Sequence, residues 1–264
     1  MNQERIIETA HALADVAREA ILPFFRGEAL ETQNKRQGEG AFDPVTRADR
    51  AAETAMRDML ALRHPDDGIL GEEFGLRQGR SGLTWVIDPI DGTRAFMSGA
   101  PTWGVLIALV DASGPVYGLI EQPYIGERFE GGFGRAIMHG PLGPRPLQAR
   151  SDRALDAATL FTTFPEIGTE AEKAAFDLVA REVQLTRYGM DCYAYAMLAA
   201  GQIDLVIEAG LSAYDIAAPI AVIEAAGGIV TDWQGAPVHD GGRVLAAASR
   251  QQHDAALTIL SSVT

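Results

Sequence analysis

The sequence has little cysteine, little positive charge and no long apolar run. Cys192 is the one cysteine among 264 residues, so an internal disulfide is excluded. The 22 lysines and arginines are outnumbered by 36 aspartates and glutamates, and the formal charge of -14 disfavours nucleic acid and anionic membranes as partners. Gly, Pro or charged residues interrupt every apolar run before it reaches the roughly 18 residues that indicate a membrane span. We therefore expect a soluble protein.

The remaining composition is that of a globular protein. Hydrophobic residues make up 47% of the chain and charged residues 22%, close to the averages for folded domains. A length of 264 residues suits one domain or two closely joined subdomains. The first stretch, MNQERIIETAHALADVAREA, carries charges where a secretory signal peptide needs apolar residues. Together with the lone cysteine, this favours a cytoplasmic location.

Apolar spacing predicts helices and strands in the N-terminal half. Apolar residues recur every three or four positions across residues 4–25 and again across 47–64, as in helices with one buried face. Three apolar runs of strand length follow, LTWVID, WGVLIALVD and PVYGLIEQP. We expect helices packed on a largely antiparallel sheet, an α+β arrangement, in a subdomain covering residues 1–145.

The C-terminal half, residues 146–264, alternates helices and strands. Helices are predicted near residues 171–183, at CYAYAMLAAG, at IAAPIAVIEAAGG and at the end of the chain. Strands are predicted at IDLVIE, IVTDW and RVLAAAS. The segment HGPLGPRPLQARSDRA is rich in Pro and Gly and is the predicted junction between the halves. The fold class is therefore expected to be α/β, with an α+β N-terminal half.

The segment WVIDPIDGT places two aspartates three residues apart where a strand leads into a turn. Residues three apart on a continuous strand point to opposite faces, but Pro89 and Gly92 favour a backbone turn that aims Asp88 and Asp91 at one point. Carboxylates held close repel each other unless a cation neutralises them, and Mg²⁺ takes such oxygen ligands. The alternative is an ordinary Asp-Gly hairpin turn with Asp88 at a strand end.

Three further polar positions favour metal-assisted phosphoryl chemistry. Glu72 ends the apolar run in GILGEEFG beside the predicted Asp88 strand, although paired glutamates are often only solvated. Asp215 precedes an apolar helix and has the position of an N-cap, and helix ends at a sheet edge also bind ligands in α/β folds. Thr93 begins a predicted short helix, TRAFMSG, whose free amides can receive a phosphate oxygen.

These segments resemble a known family. GEE at 71–73, WVIDPIDGT at 85–93 and YDIAAPIAVIEAAGG at 214–228 are similar to the three signatures of the inositol monophosphatase superfamily, in the same order. The resemblance covers nearly the whole chain and implies a layered α-β-α-β-α sandwich of the inositol monophosphatase and fructose bisphosphatase type. It also implies a homodimer. DPVTRADRAAE resembles the family's early helix start, with Ala48 in place of a commoner Thr beside Asp49.

The resemblance also implies a metal site with two or three Mg²⁺ ions. The implied ligands are Glu72, Asp88, Asp91, Asp215 and the backbone carbonyl of Ile90. Glu72 and Thr93 would hold the attacking water, with Asp49 supporting Thr93, and the amides of Gly92 and Thr93 would hold the phosphate. Paired metal ions can lower the pKa of a water molecule and stabilise both the attacking and the leaving oxygen.

Three longer segments are more similar to the histidinol-phosphate phosphatases of this superfamily: GLIEQPYIGERFEGG, YGMDCYAYAMLAAGQIDLVIEAG and IVTDWQG. Histidinol phosphate carries an ammonium group where inositol is neutral, so its pocket is expected to hold acids. The resemblance places Asp191 and Glu208 beside the leaving alcohol and Arg187 within reach of the substrate. The residues alone leave other interpretations open, with Glu208 an exposed strand end and Asp191 a helix N-cap.

The remaining polar residues are interpreted as structural. The histidines show no ligand spacing and are expected at the surface or in loops: His11, His64, His139, His239 and His253. Cys192 is expected to be a packed thiol, and the sequence leaves Arg94 and Arg128 undecided. We expect a Mg²⁺-dependent phosphomonoesterase for a small-molecule phosphate ester, histidinol phosphate before inositol or sugar phosphates. The alternatives of another class are a catalytically idle binding homologue and a purely structural cation site.

Overall fold

The computed structural model describes residues 2–27, 32–34 and 44–262. Helix α1 (Gln3–Ile21) begins after Asn2, whose side chain accepts a hydrogen bond from the Arg5 amide and caps the helix. Its apolar stripe is buried, as the spacing predicts. The helix ends earlier than predicted, and residues 22–26 continue as turns that include Pro23.

The other α-helices of the described residues are α2 (Arg47–Arg63), α3 (Thr93–Met97), α4 (Glu170–Glu182), α5 (Cys192–Ala199), α6 (Ala213–Ala225) and α7 (Arg250–Leu260). α2 begins with a capping box, in which Thr46 and Asp49 exchange hydrogen bonds. A small antiparallel pair of strands, β1 (Thr32–Asn34) and β2 (Pro44–Thr46), precedes it. The predicted helices at 47–64, 171–183 and the chain end are confirmed.

The larger sheet has eight strands and lies in the N-terminal half. They are β3 (Gly68–Gly71), β4 (Gly75–Arg77), β5 (Thr84–Asp91), β6 (Gly104–Asp111), β7 (Gly114–Gln122), β8 (Glu127–Gly132), β9 (Arg135–His139) and β10 (Arg145–Pro146). Their order across the sheet is β10-β9-β8-β7-β6-β5-β3-β4. β3 and β5 are parallel and the other neighbours are antiparallel, which confirms the largely antiparallel prediction.

The second sheet has five strands from the C-terminal half. They are β11 (Thr159–Thr162), β12 (Leu185–Tyr188), β13 (Leu205–Ser212), β14 (Ile229–Thr231) and β15 (Gly241–Ala247), in the order β12-β11-β13-β15-β14. β14 ends before the predicted residue 233 because the Asp232 side chain accepts hydrogen bonds from the amides of Gln234 and Ala236 and so forms a turn.

The two sheets and the helices form five layers. In β6, Val105 and Ile107 pack with the α1 and α2 side chains, while Leu106 packs with α5 and α6. In β13, Ile207 packs with α4 and α7, whereas Val206 belongs to the same central cluster as α5 and α6. Successive strand residues alternate between faces, so each sheet is covered on both sides. The order is α1/α2, larger sheet, α5/α6, second sheet, α4/α7, which confirms the expected α/β sandwich.

Helix α6 lies very close to the larger sheet. Gly118 and Gly131 are direct partners on β7 and β8. A Cβ atom on Gly118 would lie 2.4 Å from the carbonyl oxygen of Ala218, and one on Gly131 would lie 2.5 Å from the Cα of Val222. These two glycines therefore let the helix backbone approach the sheet directly.

The division at about residue 145 stays a prediction. No helix in the described part of the chain is long and apolar enough to cross a membrane.

Candidate active site

Strand β5 delivers two aspartates to one point because it is irregular near its end. Its pairing with β6 shifts between Asp88 and Asp91, and the Ile90 amide donates to Asp88 Oδ1 at 3.0 Å. Gly92 follows with φ of 83°, in the left-handed region that favours glycine. One oxygen each from Asp88, Asp91 and Asp215 lie within 4.8 Å of one another. The predicted convergence of Asp88 and Asp91 is therefore found, and we call these three residues the acidic cluster.

The third aspartate of the cluster comes from the first turn of α6. Ser212 is the N-cap, and Asp215 is the third residue of the helix, where its Oδ2 accepts the Ser212 amide at 2.7 Å in a capping box. The predicted N-cap position for Asp215 is therefore wrong by three residues. The capping contact fixes the Asp215 carboxylate at the start of α6, beside the end of β5.

The acidic cluster is electrostatically unbalanced. Burial raises the pKa of Asp88 well above its usual value, and the charges of Glu72, Asp91 and Asp215 raise it further. Burial and the carboxylates of Asp191 and Asp215 raise the pKa of Asp91 in the same way, although the Cys192 amide donates to its Oδ2 at 2.6 Å. Buried carboxylates this close ionise together only when a cation neutralises them. The oxygen-only donor set is the one that Mg²⁺ prefers, so the residues fit the expected metal.

Glu72 reaches the same place from a neighbouring strand. β3 pairs in parallel with β5, so the ends of both strands lie at one edge of the sheet. Glu72 follows β3 directly, is half-buried and lines the cavity that contains the acidic cluster. The two neighbouring strand ends therefore present their acids at one edge of the sheet, as expected.

The cavity has a volume of about 610 Å³ and lies between the two halves of the chain. Its lining includes nine of the predicted site residues: Glu72, Asp88, Ile90, Asp91, Gly92, Thr93, Asp191, Glu208 and Asp215. Arg187 is not among the lining residues and lies exposed on the edge strand β12. The predicted approach of Arg187 to the substrate therefore finds no support in the described residues.

Thr93 and Asp49 do not form the expected pair. The Thr93 hydroxyl donates to the Ile90 carbonyl at 3.2 Å. Asp49 is buried in α2, where its Oδ2 accepts from the amide and hydroxyl of Thr46, while its Oδ1 has no hydrogen-bond partner in the described residues. Burial raises the pKa of Asp49 to about 6, with a smaller contribution from Glu72. Thr93 and Asp49 thus share no hydrogen bond in the described residues, and the expected support of Thr93 by Asp49 stays a prediction.

Two further acids, Asp191 and Glu208, line the cavity. Glu208 on β13 is 6% exposed, which corrects its interpretation as an exposed strand end. It accepts the Thr163 amide at 2.9 Å and the Tyr195 hydroxyl at 3.0 Å, yet burial still raises its pKa. Asp191 precedes α5, but its side chain does not cap the helix and instead accepts from the Thr102 hydroxyl at 2.9 Å. Burial raises the pKa of Asp191 too.

Asp191 packs closely against Gly92. A Cβ atom on Gly92 would lie 2.7 Å from Asp191 Cγ. Asp191 itself has φ of 48°, a strained value for a residue other than glycine. The strain and the close approach place the Asp191 carboxylate beside the loop that ends β5.

Sequence reasoning missed part of the cavity wall. Phe164 is 42% exposed, and the guanidinium of Arg94 lies over its ring at 4.7 Å from the centroid. Both line the cavity, as does Thr163. Arg94 was undecided from the sequence, and Phe164 follows β11 without any local motif. Arg128, the other undecided arginine, is not a lining residue; it donates to Glu121 Oε2 at 2.5 Å.

A second cluster of potential metal ligands lies away from the cavity. His11 Nε2 is 3.1 Å from Glu130 Oε2, and His139 Nε2 is 3.1 Å from Glu130 Oε1. The residues come from α1, β8 and β9, and we call them the histidine cluster. His11 and His139 lie in a helix and a strand rather than in loops, and they converge on Glu130 although the sequence shows no ligand spacing. His253 is also buried rather than at the surface.

Comparison with known proteins identifies the relatives of this chain. The model of the inositol monophosphatase family matches residues 2–264. The "Bifunctional phosphatase IMPL2, chloroplastic" of Arabidopsis thaliana is 42% identical over 88% of this chain, which spans 65% of that protein. The "Histidinol-phosphatase" of Chlorobaculum parvum is 34% identical over 87% of this chain and 86% of its own. A solved inositol monophosphatase from Zymomonas mobilis is 40% identical, with a TM-score of 0.85 over 99% of both chains.

Proposed function

The chain belongs to the inositol monophosphatase family, and we propose that it is a metal-dependent phosphomonoester hydrolase that releases phosphate from L-histidinol phosphate. One observation carries the proposal. The acidic cluster lies in a cavity that two further acids also line, the half-buried Asp191 and the buried Glu208. The first set of acids suits a metal ion and a phosphate, and the second set suits a cationic leaving group.

The proposed cofactor is Mg²⁺, in two or three ions per site. Glu72, Asp88, Asp91, Asp215 and the Ile90 carbonyl would hold it. When bound, Mg²⁺ supplies positive charge that lowers the pKa of a water molecule and stabilises the oxygens of the transferred phosphoryl group. The raised pKa values of Asp88 and Asp91 support this proposal, because they mark carboxylates that need a cation to ionise together.

The residues of the cavity have distinct proposed roles. Glu72 and Thr93 would hold the attacking water. The amides of Gly92 and Thr93 would hold the phosphate, at the left-handed turn of Gly92 that begins α3. The Thr93 hydroxyl is oriented by the Ile90 carbonyl rather than by Asp49. Asp49 keeps a supporting role through the buried capping box of α2.

Recognition of the leaving group rests on Asp191 and Glu208. Both carboxylates have pKa values raised by burial, so a cationic group entering the cavity would stabilise their ionised forms. The ammonium of histidinol can donate a charge-assisted hydrogen bond to Asp191, which is already oriented by Thr102. Inositol, being neutral, would bury these acids without that compensation. Relatives named histidinol-phosphatase support the same choice.

An inositol phosphate or sugar phosphate is the second candidate substrate. It is favoured by the 40% identity to a solved protein described as an inositol monophosphatase. The proposed cytoplasmic location and homodimer are separate parts of the proposal. Sedimentation equilibrium of the purified protein tests the dimer, and a single monomeric species would overturn it.

Phosphate release from three esters tests the function. The substrates are histidinol phosphate, inositol 1-phosphate and fructose 1,6-bisphosphate, each assayed with Mg²⁺ and with EDTA. We expect the highest kcat/KM for histidinol phosphate and no turnover in EDTA. Turnover that resists EDTA would contradict the metal mechanism. A preference for inositol 1-phosphate would overturn the substrate, and inactivity on all three would favour an idle homologue.

A further inference from the structure

The turn after β3 is held in place by a residue from another element. Residues 72–74 connect β3 to β4, and they present two backbone amides to α2. Glu53 Oε2 accepts the Glu73 amide at 2.7 Å, and Glu53 Oε1 accepts the Phe74 amide at 3.2 Å. Because these are the two amides directly after Glu72, the Glu53 carboxylate determines how the chain leaves β3 at that residue.

Glu53 is fully buried, and its charge is balanced. Its relative exposure is 0%, and Arg57, one helical turn later on α2, donates from Nε to Glu53 Oε1 at 2.7 Å. The same guanidinium also donates to the Gly75 carbonyl, at the start of β4. The pair therefore holds the turn at both of its ends. A carboxylate that accepts two amides and a guanidinium is fixed by three directional contacts.

Gly71 provides a second, independent observation. A Cβ atom at this position would lie 2.1 Å from Glu53 Oε1 and 2.5 Å from Glu53 Cδ. The φ angle of Gly71 is outside the left-handed region, so its backbone is one that any residue adopts. The need for glycine at 71 therefore comes from the carboxylate of Glu53 and not from the backbone.

We propose that Glu53 is a positioning residue for Glu72, because its buried carboxylate fixes the turn from which Glu72 enters the cavity. The proposal rests on the proposed function, in which Glu72 binds Mg²⁺ and holds the attacking water. Glu53 touches neither, and it does not line the cavity. Its effect is to keep Glu72 beside Asp88 without relying on a metal ion to order the turn. Groups that orient metal ligands in this way typically contribute roughly 10- to 100-fold to metal affinity.

The first test compares Glu53→Gln with a matched control. The substitution keeps the shape of the side chain but replaces one acceptor oxygen by an NH₂ group that cannot accept an amide hydrogen. The control is Asp204→Asn: Asp204 is also fully buried, accepts the Thr159 amide at 2.8 Å and pairs with Arg150 at 2.7 Å, but is not a lining residue of the cavity. Both variants are expected to lower the melting temperature measured in EDTA.

The readout that separates positioning from stability is Mg²⁺ binding without substrate, measured by isothermal titration calorimetry. We expect Glu53→Gln to weaken Mg²⁺ binding by roughly 10-fold or more, to lower kcat at subsaturating Mg²⁺ and to leave KM unchanged at saturating Mg²⁺. Asp204→Asn is expected to bind Mg²⁺ like the wild type. Unchanged Mg²⁺ affinity in Glu53→Gln, or an equal loss in Asp204→Asn, would overturn the proposal.

Gly71→Ala is the second variant, and it decides the matter if Glu53→Gln does not fold. The added methyl collides with the Glu53 carboxylate and displaces it from the amides of the turn, while the charge of Glu53 remains. We expect Gly71→Ala to fold and to show the same loss of Mg²⁺ affinity; wild-type affinity in this variant would refute the role of Glu53. Failure of the proposed function is distinct, because it would appear in the wild type as absent Mg²⁺ binding or absent phosphate release.

Discussion

The acidic cluster and the histidine cluster bring together similar ligand atoms under opposite electrostatic conditions. Both place a buried carboxylate within 4.8 Å of other potential ligands. The pKa of Asp88 is raised by burial and by neighbouring acids. Burial would also raise the pKa of Glu130, but hydrogen bonds from His11, Tyr117 and His139 lower it to about 2. The acidic cluster needs a cation, whereas the charge of Glu130 is already compensated.

The tautomer of His11 also indicates that the histidine cluster does not need a metal ion. Arg128, which is always a donor, lies 2.9 Å from His11 Nδ1, so that nitrogen is the acceptor. The proton of neutral His11 then lies on Nε2 and points to Glu130, which leaves no lone pair for a metal at that atom. Nearness of ligand atoms therefore does not define a metal site. The hydrogen bonds already made by each ligand decide it.

The largest expected effect comes from Asp88→Asn. Loss of a carboxylate from the acidic cluster removes several kcal/mol of transition-state stabilisation, so turnover should fall by at least about 1000-fold. Melting in EDTA should rise or stay unchanged, because repulsion with Asp91 and Asp215 is relieved. Phosphate-release assays and calorimetric melting check the two parts. Near-normal turnover would contradict the proposed ligand role, and a lower melting temperature would contradict the electrostatic account.

Glu130→Gln should have the reverse pattern. The Glu130 carboxylate is hydrogen-bonded to His11, His139 and Tyr117. Loss of its charge is expected to lower the free energy of unfolding by about 3 kcal/mol, as when one partner of a buried ion pair is removed. Mg²⁺ affinity and kcat should stay at wild-type values. Urea unfolding and Mg²⁺ titration measure both quantities. A loss of Mg²⁺ binding here would show that the histidine cluster contributes a metal site after all.

Asp191→Asn should change selectivity within the cavity. Loss of one charge-assisted hydrogen bond to the substrate amine corresponds to roughly a 10- to 100-fold fall in kcat/KM for histidinol phosphate. Inositol 1-phosphate has no amine and serves as the control substrate, with kcat/KM expected to stay within about 3-fold. Steady-state kinetics on both esters provide the comparison. An equal fall on the two esters would indicate a role for Asp191 in catalysis or folding instead of amine recognition.

The last prediction concerns the pH dependence of stability in EDTA. Folding raises the pKa of Asp49 to about 6 from 3.8, so its contribution to stability is lost as the pH rises from about 4 to 6. Folding lowers the pKa of Glu130 to about 2 from 4.5, so its contribution is lost as the pH falls from about 4.5 to 2. Melting temperatures from pH 2 to 8, compared between wild type and Glu130→Gln, test this. In Glu130→Gln, the fall in melting temperature below about pH 4.5 that comes from Glu130 should disappear. The fall in melting temperature above about pH 4 that comes from Asp49 should remain.

The sequence predicted the Asp88 and Asp91 part of the acidic cluster because its signals are local, whereas Asp215 was assigned to the site through the family resemblance. Asp88, Pro89, Asp91 and Gly92 lie within one short segment, and their residue types alone imply a bend and repulsion between two carboxylates. The register of Asp215 was missed although S-A-Y-D carries the spacing of a capping box, with Ser212 as the better cap. Most helices and the long central strands were also predictable, because each follows from its own apolar period.

Contacts between distant segments could not be predicted in this way. His11 on α1 and His139 on β9 meet at Glu130 on β8, and nothing in the local sequence around either histidine indicates the other. Glu53 has an ordinary helical position, and its importance arises from a turn formed by residues 72–74. Phe164 likewise becomes part of the cavity only when the second sheet packs against α5 and α6. Long-range packing determines these roles, and a single sequence does not encode it in any local pattern.

The glycine pair beneath α6 links architecture to chemistry. The helix that begins with Asp215 in its first turn rests on Gly118 and Gly131 with no side chain between backbone and strand. A methyl group at Gly118 or Gly131 would push α6 away from the sheet and shift the N-terminus of the helix, which carries Asp215, relative to β5. The spacing of the three aspartate carboxylates thus depends on two glycines that do not line the cavity.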